Sequence, residues 1–367
     1  MLETKLGQAA EFSFARHETF APRFGWLHKA YTALLDPELG SEVFLRSDAP
    51  VLLGVGKNMV NAIRHWAQAF KVSIEHSKGG TSRAYVASPT WEARWLLDED
   101  GADPYLEDSA SLWLLHWWLL KPASLAPVWW VAFHAMPSSR FTEASLAEIV
   151  TREVRLAGWD SPAPASIAKD IDCLTKMYAR RKTPTGSPGS FEDLLDCPFR
   201  ELGLLEPVAP QRAGDRSGER VWQFTSTVRT SLPANIVAYA CLDYASQDAA
   251  LAEGGSIATA RLANEPGGPG RAFRIREPEI VDALAEVAGG VEQLSVSDGV
   301  GQRSLTFAGN PAALAWDVLD AYYDCVRQRP GFPEREAWDC EYPDAAAERR
   351  RREQVRKTEL VAAGELA

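Results

Sequence analysis

The segment Leu112 to Leu120 reads LWLLHWWLL, and only His116 interrupts its apolar character. A helix of that composition has no face to give to water, so it must lie inside a core. A membrane span needs about 20 such residues. Lys121, Pro122 and Pro127 break this run too early for that. Trp91, Trp95, Trp113, Trp117, Trp118, Trp129 and Trp130 all fall within this part of the chain, seven of its thirteen tryptophans. The section predicts buried helices around which the other elements pack, with no membrane association.

Gly54 to Phe70 is patterned differently. Met59, Ile63, Trp66 and Phe70 recur at helical spacing and form one apolar stripe. Lys57, Asn61, Arg64 and Gln68 form a polar stripe on the opposite face. Such a face presents groups that contact phosphates and base edges. Gly56-Lys57 is not a P-loop, because Val51 stands where that motif needs glycine and Asn58 where it needs a hydroxyl. The glycines fit the short turn of a helix-turn-helix unit, with a recognition helix opening at Lys57. An ordinary amphipathic surface helix has the same pattern.

Strands are expected at Lys71–Ile74 and Ala84–Ala87, with EHSKGGTSR as the loop between them. A hairpin carrying Lys78 and Arg83 at its tip, placed after a recognition helix, is the arrangement of a winged helix. Pro22 is expected to open a helix to Leu35, with Phe24, Leu27 and Tyr31 inward. Thr142 caps a helix through Val154, and a second helix from Ser166 buries Ile167, Ile171, Leu174 and Tyr178. A hairpin follows within Val208–Ser226. A third version runs from 234 to 308: helices at Asn235–Tyr244, Gly254–Leu262 and Glu277–Ala288, then a hairpin around Asp298-Gly299. The fold class expected is mainly α with small β-hairpins, an α+β fold of tandem winged-helix or helix-turn-helix modules with a Trp-rich helical core. The boundaries are 1–136, 137–232 and 233–345, with a charged terminal helix over 346–367. Arg349 to Arg352 on that helix either touch nucleic acid or form a solvated face.

Two clusters carry chemistry. Arg16-His17-Glu18, with Arg23 nearby, offers guanidinium groups for phosphate and a His/Glu pair for proton transfer or metal binding. The same residues also fit a salt-bridged arginine and a satisfied boundary histidine. Asp103, Glu107 and Asp108 could surround Mg²⁺ or Mn²⁺, or cap the following helix. Five scattered cysteines, at 173, 197, 241, 325 and 340, form no CxxC pair and suggest a reducing cytoplasm, and no signal peptide is expected. The net charge of −11 is uneven, +2 over residues 1–90 and −13 over the rest. Local basic faces in the first part suit DNA, and the acidic remainder suits protein partners.

ARHETFAPRFGWLHKAY, then APVLLGVGKNMVNAIRHW, then DPYLEDSASLWLLHWWLL occur in that order. They resemble a bacterial domain family of DNA phosphorothioation gene clusters, described best for the B component of the Ssp single-strand phosphorothioation system. The resemblance implies a DNA-nicking protein that opens one strand for sulfur insertion. It implies work beside a cysteine desulfurase, an ATPase and an ATP-pyrophosphatase-like enzyme. Placed on these motifs, the physical reading makes Arg16, His17 and Glu18 the catalytic group. Arg23, Lys57, Asn58, Asn61, Arg64, Gln68, Lys78 and Arg83 are then the DNA contacts, with a divalent metal assisting. A non-catalytic winged-helix DNA-binding adaptor and a transcriptional regulator are the alternatives.

Overall fold

The computed structural model describes residues 5–78, 84–179, 197–208, 220–225, 229–299 and 301–342. The fold is mixed α/β, with helices predominating over small antiparallel sheets. In chain order the first helices are α1 (Leu6–Ala9), α2 (Trp26–Leu35), α3 (Ala49–Leu52) and α4 (Lys57–Ala69). The hairpin β1 (Ser73–Ser77) and β2 (Tyr85–Pro89) follows, then α5 (Trp91–Leu97), α6 (Ser109–Leu120) and α7 (Pro127–Trp130). β3 (Arg140–Thr142) leads into α8 (Glu143–Leu156) and α9 (Pro164–Tyr178). β4 (Leu205–Pro207) and β5 (Val221–Phe224) complete a sheet of order β3-β5-β4. The last sheet joins β6 (Gly254–Ala258), β7 (Leu294–Gly299) and β8 (Gln302–Ala308) in the order β6-β8-β7.

Helix α6 behaves as its composition demands, with every residue from Ala110 to Leu120 buried. Its polar atoms are satisfied internally. His116 bonds Tyr178 Oη at 2.7 Å and the Ala272 carbonyl at 2.9 Å. Trp117 donates to Asp243 and Trp118 to Tyr239. In α4 the apolar stripe turns inward as expected, and Ile63, Trp66 and Phe70 are fully buried. The buried cluster runs without a break from Leu6 to Trp338, across the expected boundaries at 136/137 and 232/233.

Several expectations need correction. The helix foreseen from Pro22 starts at Trp26, because Gly25 takes φ 76° as its N-cap and leaves Phe24 exposed. Strand β1 begins two residues later than expected and extends to Ser77, so Glu75 lies in a strand, not a loop. The segment Gly254–Ala258 is a strand, not the start of a helix, because it pairs with β8 through Ile257↔Leu305. β3 adds a third strand that no sequence signal announced. The terminal helix and Arg349–Arg352 lie outside the described residues. No helix among the described residues is long and apolar enough to cross a membrane. All five cysteines are free thiols.

Candidate functional site

The loop at residues 11–20 rests on the tryptophan core. Trp66 Nε1 donates to the Phe20 carbonyl at 2.9 Å. The His17 ring stacks on Trp66 and meets the edge of Trp129. Within the loop, Ala15, Glu18 and Thr19 take φ of 55°, 50° and 67°, a left-handed conformation that costs side-chain-bearing residues energy.

His17 holds that conformation in place. Its side chain is buried, and the Thr19 N–H donates to Nδ1 at 3.1 Å. That contact puts the ring proton on Nε2, which donates to Asp170 Oδ1 at 2.7 Å. Asp170, on α9, also accepts the Ala15 N–H at 2.9 Å. Burial raises the Asp170 carboxyl above its ordinary range, while the His17 hydrogen bond acts in the opposite direction. With both ring nitrogens engaged, His17 has no lone pair free to take a proton from water. The expected catalytic histidine is therefore a positioning residue here.

What it positions is a groove of about 960 Å³. Arg16 and Glu18, both exposed, line it with Asn61, Arg64, His65 and Gln68 of α4 and with Glu75 of β1. Glu18 Oε1 accepts from Asn61 Nδ2 at 3.3 Å. Arg64 is ion-paired to Glu75 and also donates to the Tyr85 carbonyl at 3.1 Å. Gln68 donates to Glu75 at 2.8 Å. This half of the polar stripe therefore ties α4 to the hairpin, and the guanidinium expected to meet phosphate is already committed.

The remaining predicted residues are dispersed. Lys57 and Asn58 are exposed on the first turn of α4, outside the groove. The Arg23 guanidinium lies 5.8 Å from the ring centres of both Phe20 and Trp26. Lys78 pairs with Glu42 at 2.6 Å. Arg83 lies outside the described residues. The acidic loop follows its capping alternative. Asp103 accepts the N–H groups of Glu107 and Asp108 and the Ser111 hydroxyl. Asp108 caps α6 through the Ala110 N–H and accepts from Tyr322. Asp103, Glu107 and Asp108 thus do not converge on a cation. No group of three His, Cys, Asp or Glu among the described residues is placed to hold one.

Three site residues escaped the sequence reading. His65 follows Asn61 by four positions on α4, a signal that was present in the helical spacing. Burial, then the neighbouring His17 and Arg16, push it down to about 3, so the imidazole is neutral at pH 7. Glu75 was hidden by the misplaced strand. Asp170 lies 153 positions from His17, and nothing local announces it.

A sequence profile described as a protein of unknown function (DUF4007) matches residues 14–323. The chain belongs to that family. It also resembles the crystal structure of SspB at 57% identity and a TM-score of 0.86, over 94% of this chain and 98% of that one. A magnesium ion-bound crystal structure of SspB matches at the same identity and coverage with a TM-score of 0.84. No curated protein matches the chain. The likeness drawn from the RHETF and GVGKNM motifs to the B component of the Ssp phosphorothioation system is thereby borne out.

Proposed function

We propose that this chain is a DNA-nicking protein of a phosphorothioation system, and that the groove beside Arg16 and Glu18 is where the phosphodiester is cut. One observation carries the reading. A strained loop, braced by the buried His17–Asp170 pair, presents an exposed guanidinium and an exposed carboxylate together at the mouth of a large polar groove. Hydrolysis of a phosphodiester needs a water activated by a base, charge stabilisation at phosphorus and a proton for the leaving oxygen. Glu18 is the candidate base, and Arg16 faces the phosphate oxygens.

A hard divalent cation fits this site in a limited way. Magnesium is commonly held by one or two carboxylates, with water and substrate phosphate completing its shell. Glu18 would hold such an ion through the carboxylate to which Asn61 Nδ2 donates. The ion would supply charge neutralisation at the scissile phosphate. The SspB likeness makes magnesium the first cation to test.

The order β3, α8–α9, β4–β5 and the order β6, helices, β7–β8 have the same strand arrangement, first–last–middle. Under this reading they are winged-helix modules that bind duplex DNA on either side of the cut. Partner enzymes of the same system, a cysteine desulfurase, an ATPase and an ATP-pyrophosphatase-like protein, would meet the acidic later part of the chain.

A second reading, a DNA-binding adaptor without cutting activity, is favoured by one specific feature: neither ring nitrogen of His17 is free to act as a base. A supercoiled plasmid incubated with Mg²⁺ or Mn²⁺, and separately with chelator, separates the two. The nickase reading expects metal-dependent conversion to open circle, a fall of about 10²-fold or more in Glu18→Gln, and a comparable fall in Arg16→Ala. Plasmid that is shifted on a gel but never nicked by the wild type makes the protein an adaptor.

A further inference from the structure

We propose that the groove takes an unpaired stretch of nucleic acid, with its bases stacking on Phe12 and Tyr85. The inference deepens the nucleic-acid reading above and rests on it. Phe12 is 53% exposed and Tyr85 is 49% exposed, and both line the groove. Aromatic side chains of this size normally bury most of their surface. Phe12 is held through its ring and Tyr85 through its backbone. The Phe12 ring packs edge-on against Phe14 at 5.2 Å and Trp159 at 5.9 Å. Tyr85 opens β2 opposite Ser77, and its carbonyl is held by Arg64. Two exposed aromatic rings therefore border the groove, one on the N-terminal segment and one on the hairpin.

The groove carries little free positive charge, which weighs against an intact duplex held there by its phosphates. Its cations are Arg16 and Arg64, against Glu11, Glu18 and Glu75, and Arg64 is already paired with Glu75. A site with so little free positive charge gains little from releasing counterions. A strand held here would draw its binding energy chiefly from the exposed rings. The bases of an intact duplex are already stacked on one another, whereas an unpaired strand offers free π-faces, and stacking one on an aromatic side chain favours binding without reading sequence.

The test uses the full chain and two labelled probes, a short oligothymidylate and a hairpin duplex of the same length, followed by fluorescence anisotropy over a range of salt. The single strand is expected to bind in the groove, whether or not the modules outside it also bind the duplex. Its salt slope should correspond to no more than about two counterions. Phe12→Ala and Tyr85→Ala should each weaken the single strand by about tenfold and leave the duplex unchanged. Phe12→Tyr and Tyr85→Phe should retain tight binding. Both positions are exposed, so a thermal melt suffices to show that the variants are folded. Tight duplex binding with no effect of either alanine variant overturns the stacking proposal and leaves the nucleic-acid reading standing. Failure of the wild type to bind either probe removes both.

Discussion

Asp170 and Glu18 sit at opposite ends of one small structure, and they should respond to substitution in opposite ways. Asp170 is buried and accepts from His17 and from the Ala15 N–H. Asp170→Ala strands the buried His17 N–H and the part-buried Ala15 N–H, each costing about 1–3 kcal/mol. A loss of roughly 2–4 kcal/mol in urea unfolding is expected, with nicking lost because the loop no longer presents Arg16. Glu18 is exposed and accepts from the Asn61 amide at 3.3 Å. Glu18→Gln should keep stability within about 0.5 kcal/mol of wild type while lowering cutting by about 10²-fold or more. If Asp170→Ala were as stable as wild type, the pair would not brace the loop. The sequence placed Arg16, His17 and Glu18 in one functional cluster but could not assign their roles. Chemical type left His17 and Glu18 both open as the base, whereas burial and an acceptor 153 positions away make His17 a support of the loop.

Among elements, α4 and its hairpin show how far a pattern reaches. The two faces of α4 were legible because helical periodicity is a local property, and the inward face is fully buried at Ile63 and Trp66. The use of the outward face was not legible, because it depends on where β1 lies. Arg64, Glu75 and Gln68 form one network across the gap between α4 and β1. With side chains 25% and 16% exposed, Arg64 and Glu75 fall between a surface pair and a buried one. A double-mutant cycle on Arg64→Ala and Glu75→Ala should therefore return a coupling of about 1–2 kcal/mol. Arg64→Ala should also leave the salt slope of DNA binding unchanged, because its charge is already matched. A slope reduced by about one counterion would mean that Arg64 leaves Glu75 for phosphate. The capping box at Thr142 is the opposite case. Thr142 and Ser145 exchange hydrogen bonds at 3.1 and 3.0 Å, as the helix start read from sequence requires.

Over the whole molecule, the Trp-rich section joins parts that the sequence pattern keeps separate. Trp95 donates to Asp320, Trp113 to Ser231 and Trp91 to the Pro333 carbonyl, across separations of 118 to 242 residues. Periodicity cannot reveal such pairs, so three modules looked independent where one core runs through them. His116 sits at this junction, between Tyr178 of α9 and Ala272 near the C-terminal sheet. Burial pushes its pKa down to about 3, and burial also depresses His134. Below pH 6.5 the unfolded chain takes up a proton that folded His116 refuses, so stability is present above that value and falls as the pH falls towards 3. One such proton costs about 1.4 kcal/mol per pH unit, or roughly 2 kcal/mol at pH 5. Because the core is continuous, that loss should act on the whole molecule. Urea unfolding at pH 7.5 and pH 5, followed by tryptophan fluorescence and far-ultraviolet circular dichroism, should give one coincident transition that moves to lower urea in acid. His116→Gln should unfold earlier at pH 7.5 and show a pH dependence reduced by about one proton. Separate transitions for the two probes would mean that the modules unfold independently despite sharing a core.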